Sequence, residues 1–192
     1  MPGRAYEILF EVAADQRGYV TQRQARAHGV GPTTLVQMAR RGQVEHVAHG
    51  LYRFKAFPSG PLDAYMEAAL WPQGTRGVLS HETALDLYGL SDANPDKIHI
   101  TVPVRHTVRR QRPGLYEIHH ADLEPDEVTW RDGLPLTTVE RTILDCHRAH
   151  LRLGLLQQAL EQARARGLIT KAAERRLRGE ISTPAATGEG RA

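Results

Sequence analysis

Apolar residues recur with helical spacing over much of the chain. In residues 4–14, Tyr6, Leu9, Phe10 and Ala13 fall on one stripe, which is the 3.6-residue period of an amphipathic helix. The same period, together with capping and stop signals, predicts further helices at residues 21–29, 32–41, 62–70, 80–89, 137–150, 152–166 and 170–178.

Strict alternation of apolar and polar residues marks a second kind of element. Ile98, Ile100 and Val102 lie on one face of residues 97–102, and residues 115–120 repeat the pattern. Alternation of this kind is typical of half-buried β-strands. The combination of helices and strands predicts an α+β fold. Shorter β-prone runs occur at residues 44–47, 51–54, 128–130 and 134–136, and Asp132-Gly133 between the last two predicts a hairpin.

One N-terminal segment predicts a helix-turn-helix. Thr21 and Gln24 have the spacing of a capping box, in which each side chain bonds to the other residue's backbone N–H. Gly29 suits the end of this helix, and Gly31 followed by Pro32 suits the start of the next. Two short helices joined by a tight turn that contains glycine are the outline of a helix-turn-helix.

The second helix of this pair has a polar face that suits base reading. Leu35, Met38 and Ala39 recur at spacings of three and four and are expected to face the core. In the major groove, arginine pairs with guanine, glutamine with adenine, and threonine with a phosphate or a thymine methyl group. Gln37 and Arg40 are therefore the leading candidates for base contacts. The full set of outward residues is Thr33, Thr34, Gln37, Arg40 and Arg41.

The β-prone runs at residues 44–47 and 51–54 flank a turn at residues 48–50 and predict a hairpin, which in this position is a wing. Its candidate phosphate contacts are His46, His49 and Arg53. The expected fold is an N-terminal winged helix-turn-helix, followed by a mixed α+β domain with a small antiparallel sheet and C-terminal helices.

Domain limits follow from the turn-forming residues. Residues 57–61 contain two prolines and one glycine and predict a hinge. We therefore expect a winged domain at residues 1–57 and a second domain at residues 61–179. Residues 180–192 are small, polar and contain proline and glycine, so they predict a flexible tail.

Composition favours a cytoplasmic protein. The chain has 192 residues and a single cysteine, Cys146, which excludes an internal disulfide framework and suits a reducing compartment. No apolar run is long enough to span a bilayer, and the first residues lack the apolar region of a signal peptide. We therefore expect a soluble protein that does not bind a membrane.

The charge distribution supports nucleic-acid binding. The net charge is only +3, but residues 1–57 hold eight Lys/Arg against four Asp/Glu, whereas the remainder is close to neutral. A basic excess on the predicted reader is what binding to phosphates requires.

Enzymatic alternatives find little support in the sequence. Ser80 and His81 could suggest a nucleophile and its base, but neighbours on one helical turn are expected to project in different directions. Pro95-Asp96 is similar to the start of a nuclease carboxylate motif, yet no Glu-x-Lys follows. We therefore expect Ser80 to cap a helix and the chain not to be an enzyme.

Metal binding finds little support either. His147 and His150 lie three residues apart beside Cys146, and His119-His120 could add ligands. No second pair of cysteines and no HExxH motif accompanies them. The sequence therefore predicts neither a metal site nor a cofactor.

The order of several segments resembles the AbiEi family of antitoxins. Short helix-turn-helix and hairpin patterns are common one by one, so the resemblance depends on their succession over roughly residues 5–150. After the helix-turn-helix, the segments are ARRGQV at residues 39–44, HGLYR at 49–53, LSHETA at 79–84, IHITVP at 98–103 and GLPLTTVERTILD at 133–145.

The resemblance implies an antitoxin of a type IV toxin–antitoxin system, the kind tied to abortive phage infection. The winged domain is then expected to bind double-stranded DNA at inverted repeats in its own promoter and to repress the operon. The second domain is expected to counter a nucleotidyltransferase-like toxin without a stable complex. Two alternatives stay open: an antitoxin or interaction protein that binds the toxin directly, and a transcription factor without a toxin partner.

A basic run after the strand at residues 97–102 has three interpretations. It is a solvated loop, an extension of the DNA footprint over flanking phosphates, or a contact to an acidic toxin or RNA surface. The run contains Arg105, His106, Arg109, Arg110 and Arg112.

Overall fold

The computed structural model describes residues 3–107 and 113–182 and divides into two compact units. The first unit comprises Met1–Gly77 together with Trp130–Leu134, and the second comprises Val78–Thr129 together with Pro135–Ala192. Helices and sheets together confirm the predicted α+β class. Among the described residues, no helix is long and apolar enough to cross a membrane.

The helices of the first unit lie where the sequence predicted them. Leu9 and Ala13 of the first helix and Leu35 and Met38 of the third are buried in one apolar core. The first helix has the predicted limits, and the others lie within the predicted segments. They are α1 (Arg4–Ala14), α2 (Gln22–Ala27), α3 (Pro32–Arg40) and α4 (Asp63–Leu70).

A small antiparallel sheet completes the winged helix. Its strands are β1 (Tyr19–Thr21), β2 (Val44–Ala48) and β3 (Leu51–Phe54), in the order β1-β3-β2. The hairpin of β2 and β3 follows the helix-turn-helix along the chain, and it is therefore the predicted wing.

Aromatic contacts fix α1 against the wing. Phe54, at the end of β3, is fully buried, and the rings of Tyr6 and Phe10 meet it edge-on with centroids 5.1 and 5.6 Å away. The Phe10 ring also lies 4.8 Å from that of Phe57. Such pairs contribute about 0.5–1.5 kcal/mol each beyond the area that they bury.

The first unit continues past the predicted hinge at residues 57–61 and includes α4. Asp63, the first residue of α4, forms ion pairs with Arg17 at 3.1 Å and with Arg53 at 3.2 Å. The Arg53 Nη2 also donates to the carbonyl oxygen of Pro58 at 2.9 Å. These contacts hold the turn-rich segment on the winged sheet, so the compact unit does not end where the sequence placed the boundary.

The second sheet is mixed, so the predicted antiparallel sheet is corrected. Its order is β6-β5-β4-β8-β7. The β4–β5 pair is antiparallel, whereas the β5–β6 and β4–β8 pairs are parallel. The strands are β4 (Val78–Leu79), β5 (Ile98–Val102), β6 (Tyr116–His120), β7 (Val128–Arg131) and β8 (Leu134–Thr137).

Connection lengths explain the strand directions. Residues 103–115 separate Val102 from Tyr116, and a parallel pair needs a crossover of about a dozen residues or more. By contrast, Asp132-Gly133 alone joins β7 to β8, with φ angles of 51° and 78°. Two positive φ angles are what a two-residue type I′ hairpin turn requires.

The helices of the second unit also follow the sequence prediction. The Thr170 side chain caps the last helix by accepting the N–H of Ala173 at 3.1 Å. That helix continues past the predicted start of the tail, and residues 183–192 lie outside the described residues. The helices are α5 (His81–Tyr88), α6 (Val139–Arg148), α7 (Leu153–Ala165) and α8 (Lys171–Ile181).

Several titratable groups of the second unit are buried or partly buried. Burial, with the nearby charges of His119, His99 and Arg141, lowers the pKa of His81 to about 3. Burial likewise lowers the pKa of His119 to about 4. The thiol of Cys146 is fully buried, and burial raises its pKa well above the usual value. At neutral pH these side chains are therefore uncharged.

The turn into β1 requires glycine at position 18. Gly18 has a φ of +90°, and a Cβ there would lie 2.8 Å from the Cβ of Phe57. Gly29 has a similar φ of +74°, but a Cβ there would meet no described atom within 4 Å. Substitution of Gly29 would therefore introduce backbone strain alone, whereas substitution of Gly18 would introduce backbone strain and a steric clash.

We expect Gly18→Ala to destabilise the protein more than Gly29→Ala. Left-handed backbone costs an L-residue about 1–2 kcal/mol, which is the expected loss for Gly29→Ala. Gly18→Ala should lower the free energy of unfolding by about 1–3 kcal/mol more than Gly29→Ala does, because the Phe57 side chain has to move. Urea unfolding of both variants measures the difference, and equal losses would show that the Phe57 contact is unimportant.

We also expect stability to fall as the pH decreases below about 6.5. The unfolded chain protonates His81 and His119 near this pH, whereas the folded chain keeps them neutral down to about pH 4. The unfolded state thus binds more protons in this window. The free energy of unfolding therefore decreases by up to about 1.4 kcal/mol per histidine for each pH unit. Urea unfolding in EDTA-containing buffer at several pH values between 7 and 5 measures the slope. In the His119→Gln variant the free energy of unfolding should depend less steeply on pH. An unchanged pH dependence would show that His119 is not one of the groups responsible.

Candidate nucleic-acid interface

The helix-turn-helix is built from local signals. Thr21 and Gln24 form the predicted capping box, with the Gln24 N–H donating to Thr21 Oγ1 at 3.2 Å and the Thr21 N–H donating to Gln24 Oε1 at 2.9 Å. Gly29 takes the left-handed conformation in the turn. Gly31 then precedes α3, and Pro32 occupies its first position.

The two faces of α3 have the predicted burial. Leu35 is fully buried and Met38 is 4% exposed, so they hold the helix on the core. Thr33, Gln37 and Arg40 are exposed on the opposite face. Beside them, Thr34 is partly buried and Arg41 is exposed.

The outward face has dimensions that suit a DNA groove. Thr33, Gln37 and Arg41 are four residues apart, so they lie on successive turns of one face. At 1.5 Å per residue they span about 12 Å along the axis, and a helix about 10–12 Å in diameter fits into a major groove about 12 Å wide.

Val36 is a candidate contact that the sequence analysis missed. It is 42% exposed and lies on α3 between the outward residues and the core-facing ones. Helical angles alone could have found it, because it precedes Gln37 and lies four residues before Arg40. An exposed aliphatic side chain on this face is suited to contact a thymine methyl group.

The guanidinium groups of α3 are available for ligands. Among the described residues, neither Arg40 nor Arg41 has a carboxylate partner. Arg17, by contrast, is ion-paired with Asp63. An unpaired surface arginine binds a phosphate or a guanine without first breaking an ion pair.

The wing exposes histidines from β2 and the turn. His46 and His49 are both exposed, and the His46 ring lies 5.0 Å from that of Tyr52. The pairing of β2 with β3 shifts register between His46 and Ala48, as at a β-bulge. Glu45 is also exposed on β2, so the wing carries one acidic group beside its histidines.

Arg53 is not a wing contact, which corrects the sequence analysis. It is 9% exposed, and its Nη2 donates to Phe57 and Pro58 carbonyl oxygens and to Asp63. Its guanidinium also lies 5.6 Å from the centre of the Tyr19 ring, and burial raises the pKa of that tyrosine to about 12. The physical reason is that all residues of β3 are buried, so this strand has no outward face for DNA.

The basic run lies only partly within the described structure. Arg105 is exposed, as a solvated loop or a binding surface requires. Arg109, Arg110 and Arg112 lie outside the described residues.

Ser80 and His81 have a different geometry from the one expected. Ser80 precedes α5 but its side chain does not cap the helix. Its Oγ lies 2.9 Å from His81 Nδ1 and accepts from the Thr101 hydroxyl at 2.8 Å. The two side chains therefore meet, but Ser80 is fully buried, which does not suit a nucleophile that has to reach a substrate.

Three histidines meet that the sequence analysis did not group. Ring nitrogens of His81, His99 and His119 all lie within 4.8 Å of one another. The parallel β5–β6 register pairs Thr101 with His119 and His99 with Glu117, so His99 and His119 are diagonal neighbours on one face. Only a correct prediction of the parallel pairing could have found this cluster.

Comparisons with known proteins identify the family. Residues 7–55 match the family model described as "Transcriptional regulator, AbiEi antitoxin", and residues 76–191 match the model described as "AbiEi antitoxin C-terminal domain". No curated protein matches the chain.

Among solved structures, the RV2827C protein from Mycobacterium tuberculosis is similar, with 16% sequence identity and a TM-score of 0.46 over 93% of this chain and 72% of that chain. The family assignment therefore depends on the two models, one of which covers more than half of the residues. The chain belongs to the AbiEi family of antitoxins and transcriptional regulators.

Proposed function

We propose that the protein is a sequence-specific DNA-binding antitoxin that represses its own operon. Its winged helix-turn-helix binds inverted repeats in its own promoter. The observation that carries this proposal is the outward face of α3, where Gln37 and Arg40 are exposed above a buried apolar face and have no side-chain partner in the part of the chain that the structure describes. Membership of a family of transcriptional regulators supports it.

Each exposed side chain has a role in this proposal. Gln37 and Arg40 read bases, since their amide and guanidinium groups form bidentate hydrogen bonds with adenine and guanine. Val36 contacts a thymine methyl group. Thr33, Thr34 and Arg41 contact bases or phosphates, and His46 and His49 contact phosphates from the wing.

The basic run extends this footprint in the proposal. Arg105 is exposed, and a cluster of arginines near DNA would bind flanking phosphates without reading sequence. Arg109, Arg110 and Arg112 are assigned to the same role on their charge alone.

The second unit counters a nucleotidyltransferase-like toxin in this proposal, without a stable complex. Its support is the match of residues 76–191 to the C-terminal domain of AbiEi antitoxins. Direct binding of the toxin, and a transcription factor that has no toxin partner, are the competing functions.

We expect the purified protein to bind its own upstream DNA at least about 10³-fold more tightly than a scrambled fragment at near-physiological salt. Arg40→Ala and Gln37→Ala should each lose about 1–3 kcal/mol of discrimination, because each removes a bidentate base contact. Arg41→Ala should instead weaken binding to both fragments. It should also reduce the slope of log K against log salt concentration by about one, as expected for one lost phosphate contact. Fluorescence anisotropy titrations at several salt concentrations measure all three effects.

Arg175→Ala is the matched control for these variants. Arg175 is exposed on α8, so the substitution removes one arginine and leaves the helix-turn-helix intact. It should bind DNA like the wild type. Equal binding of the two fragments that disappears as salt increases would mean phosphate attraction only and would contradict the proposed base readers.

We further expect toxin neutralisation to survive the loss of DNA reading. Co-expression of the adjacent toxin gene with Arg40→Ala should restore growth as well as the wild type does, because the substitution leaves the second unit unchanged. Size-exclusion chromatography of the purified pair should show separate peaks. A co-eluting complex would favour direct binding of the toxin, and growth arrest in the presence of wild-type protein would favour a transcription factor without a toxin partner.

A further inference from the structure

The histidine cluster of the second unit has no part in the proposed DNA binding. His81 begins α5, His99 lies on β5 and His119 lies on β6. Three different elements therefore bring their imidazoles to one place, within 4.8 Å by ring nitrogen. His81 is buried and His99 and His119 are partly buried, which costs free energy because each ring has polar nitrogens that need partners.

The spacing of the nitrogens suits a metal ion. His99 Nδ1 lies 3.0 Å from His119 Nε2. Two nitrogens bound to a tetrahedral zinc ion at 2.0–2.1 Å are separated by about 3.3 Å. The present contact is a hydrogen bond between the two rings, so this pair would reach coordination geometry by a separation of a few tenths of an ångström together with a rotation of the rings.

We propose that His81, His99 and His119 bind one divalent transition-metal ion of the zinc class. Imidazole is a preferred ligand of such ions, whereas magnesium and calcium prefer oxygen ligands. Three histidines leave one position of a tetrahedral ion for water or another ligand.

Neighbouring groups prepare the ligands. His81 Nδ1 lies 2.9 Å from Ser80 Oγ, and the Thr101 hydroxyl donates to the same oxygen. A proton on His81 Nδ1 would donate to Ser80 and leave Nε2 free to coordinate, which is how outer partners fix the ligating nitrogen. Burial keeps the pKa of His81, His99 and His119 below the usual value, so no proton has to leave before a metal binds.

A cavity adjoins the cluster on one side. It has a volume of about 310 Å³ and is lined by His81, His119, Arg141 and Asp145, among others. Arg141 forms ion pairs with Glu127 at 2.7 Å and with Asp145 Oδ1 at 2.8 Å, and Arg148, which also lines the cavity, lies 3.6 Å from the same Asp145 oxygen. Asp145 Oδ2 is buried without a hydrogen-bond partner among the described residues. The cavity beside the cluster therefore contains one buried carboxylate oxygen.

Metal uptake requires one ring to turn. The rings of His81 and His119 are stacked, with centroids 3.5 Å apart and planes at 15°. Two rings stacked face to face keep their in-plane lone pairs in separate planes and cannot both direct them at one ion, so coordination replaces this stacking. This rotation of a ring can be detected by NMR, because unstacking changes the ring-current shifts of the His81 and His119 signals when the metal binds.

The proposal is tested with the purified full chain, freed of metal with EDTA and then dialysed. Isothermal titration with Zn²⁺ should give one site per chain. Titration with Co²⁺ should give the visible absorption of a tetrahedral cobalt centre, and NMR should show shifts of the His81 and His119 ring signals. His99→Gln and His119→Gln should each weaken Zn²⁺ binding by more than about tenfold. Loss of a partner that only orients a ligand already weakens metal binding by about tenfold or more, so loss of a ligand itself should do at least as much.

His28→Gln is the matched control, because His28 is exposed in the first unit and outside the cluster. It should bind Zn²⁺ like the wild type. If the wild-type chain binds neither ion, the cluster is a purely structural network and the proposal is wrong. It is equally wrong if His99→Gln and His119→Gln keep wild-type affinity, since the ion would then lie elsewhere. If both variants fail to fold, the NMR shifts of the His81 and His119 ring signals during the wild-type Zn²⁺ titration decide, and binding without those shifts would contradict the proposal.

Discussion

The ion pair between Arg53 and Asp63 is the interaction on which the first unit depends. Both side chains are largely buried, with 11% and 15% of their surface exposed, and removing charges from water costs several kcal/mol per ion. Carbonyl oxygens of Phe57 and Pro58 accept further hydrogen bonds from the same guanidinium and offset that cost. Because all residues of β3 are buried, the surface that we propose for DNA binding is formed by α3, β2 and the wing turn.

Elements whose determinants are local could be predicted from the sequence. The capping box of Thr21 and Gln24, Pro32 at the start of α3 and the Asp132-Gly133 turn all act over two to four residues. The observed helices and hairpins therefore agree closely with the predicted ones. The outward residues of α3 could be predicted for the same reason, since helical spacing determines which side chains share a face.

Features that depend on distant pairing could not be predicted in this way. Alternation in β5 and β6 indicates strands but contains no information on their relative direction, so the parallel pair was missed, and with it the meeting of His99 and His119. Arg53 was placed outward because a wing strand usually has one solvated face. The partner of Arg53, Asp63, lies beyond the turn-rich segment that was predicted to be a hinge. The burial of Arg53 therefore depends on a contact with a residue outside the local sequence pattern of the wing.

The single cysteine gives the second unit an internal reporter of its own opening. Cys146 is fully buried in α6, and its raised pKa keeps the sulfur as an unreactive thiol in the folded state. Alkylating reagents can modify it only during transient unfolding of the surrounding core. The rate of labelling then reports the free energy of local opening, and it does so for the second unit alone, since the first unit contains no cysteine.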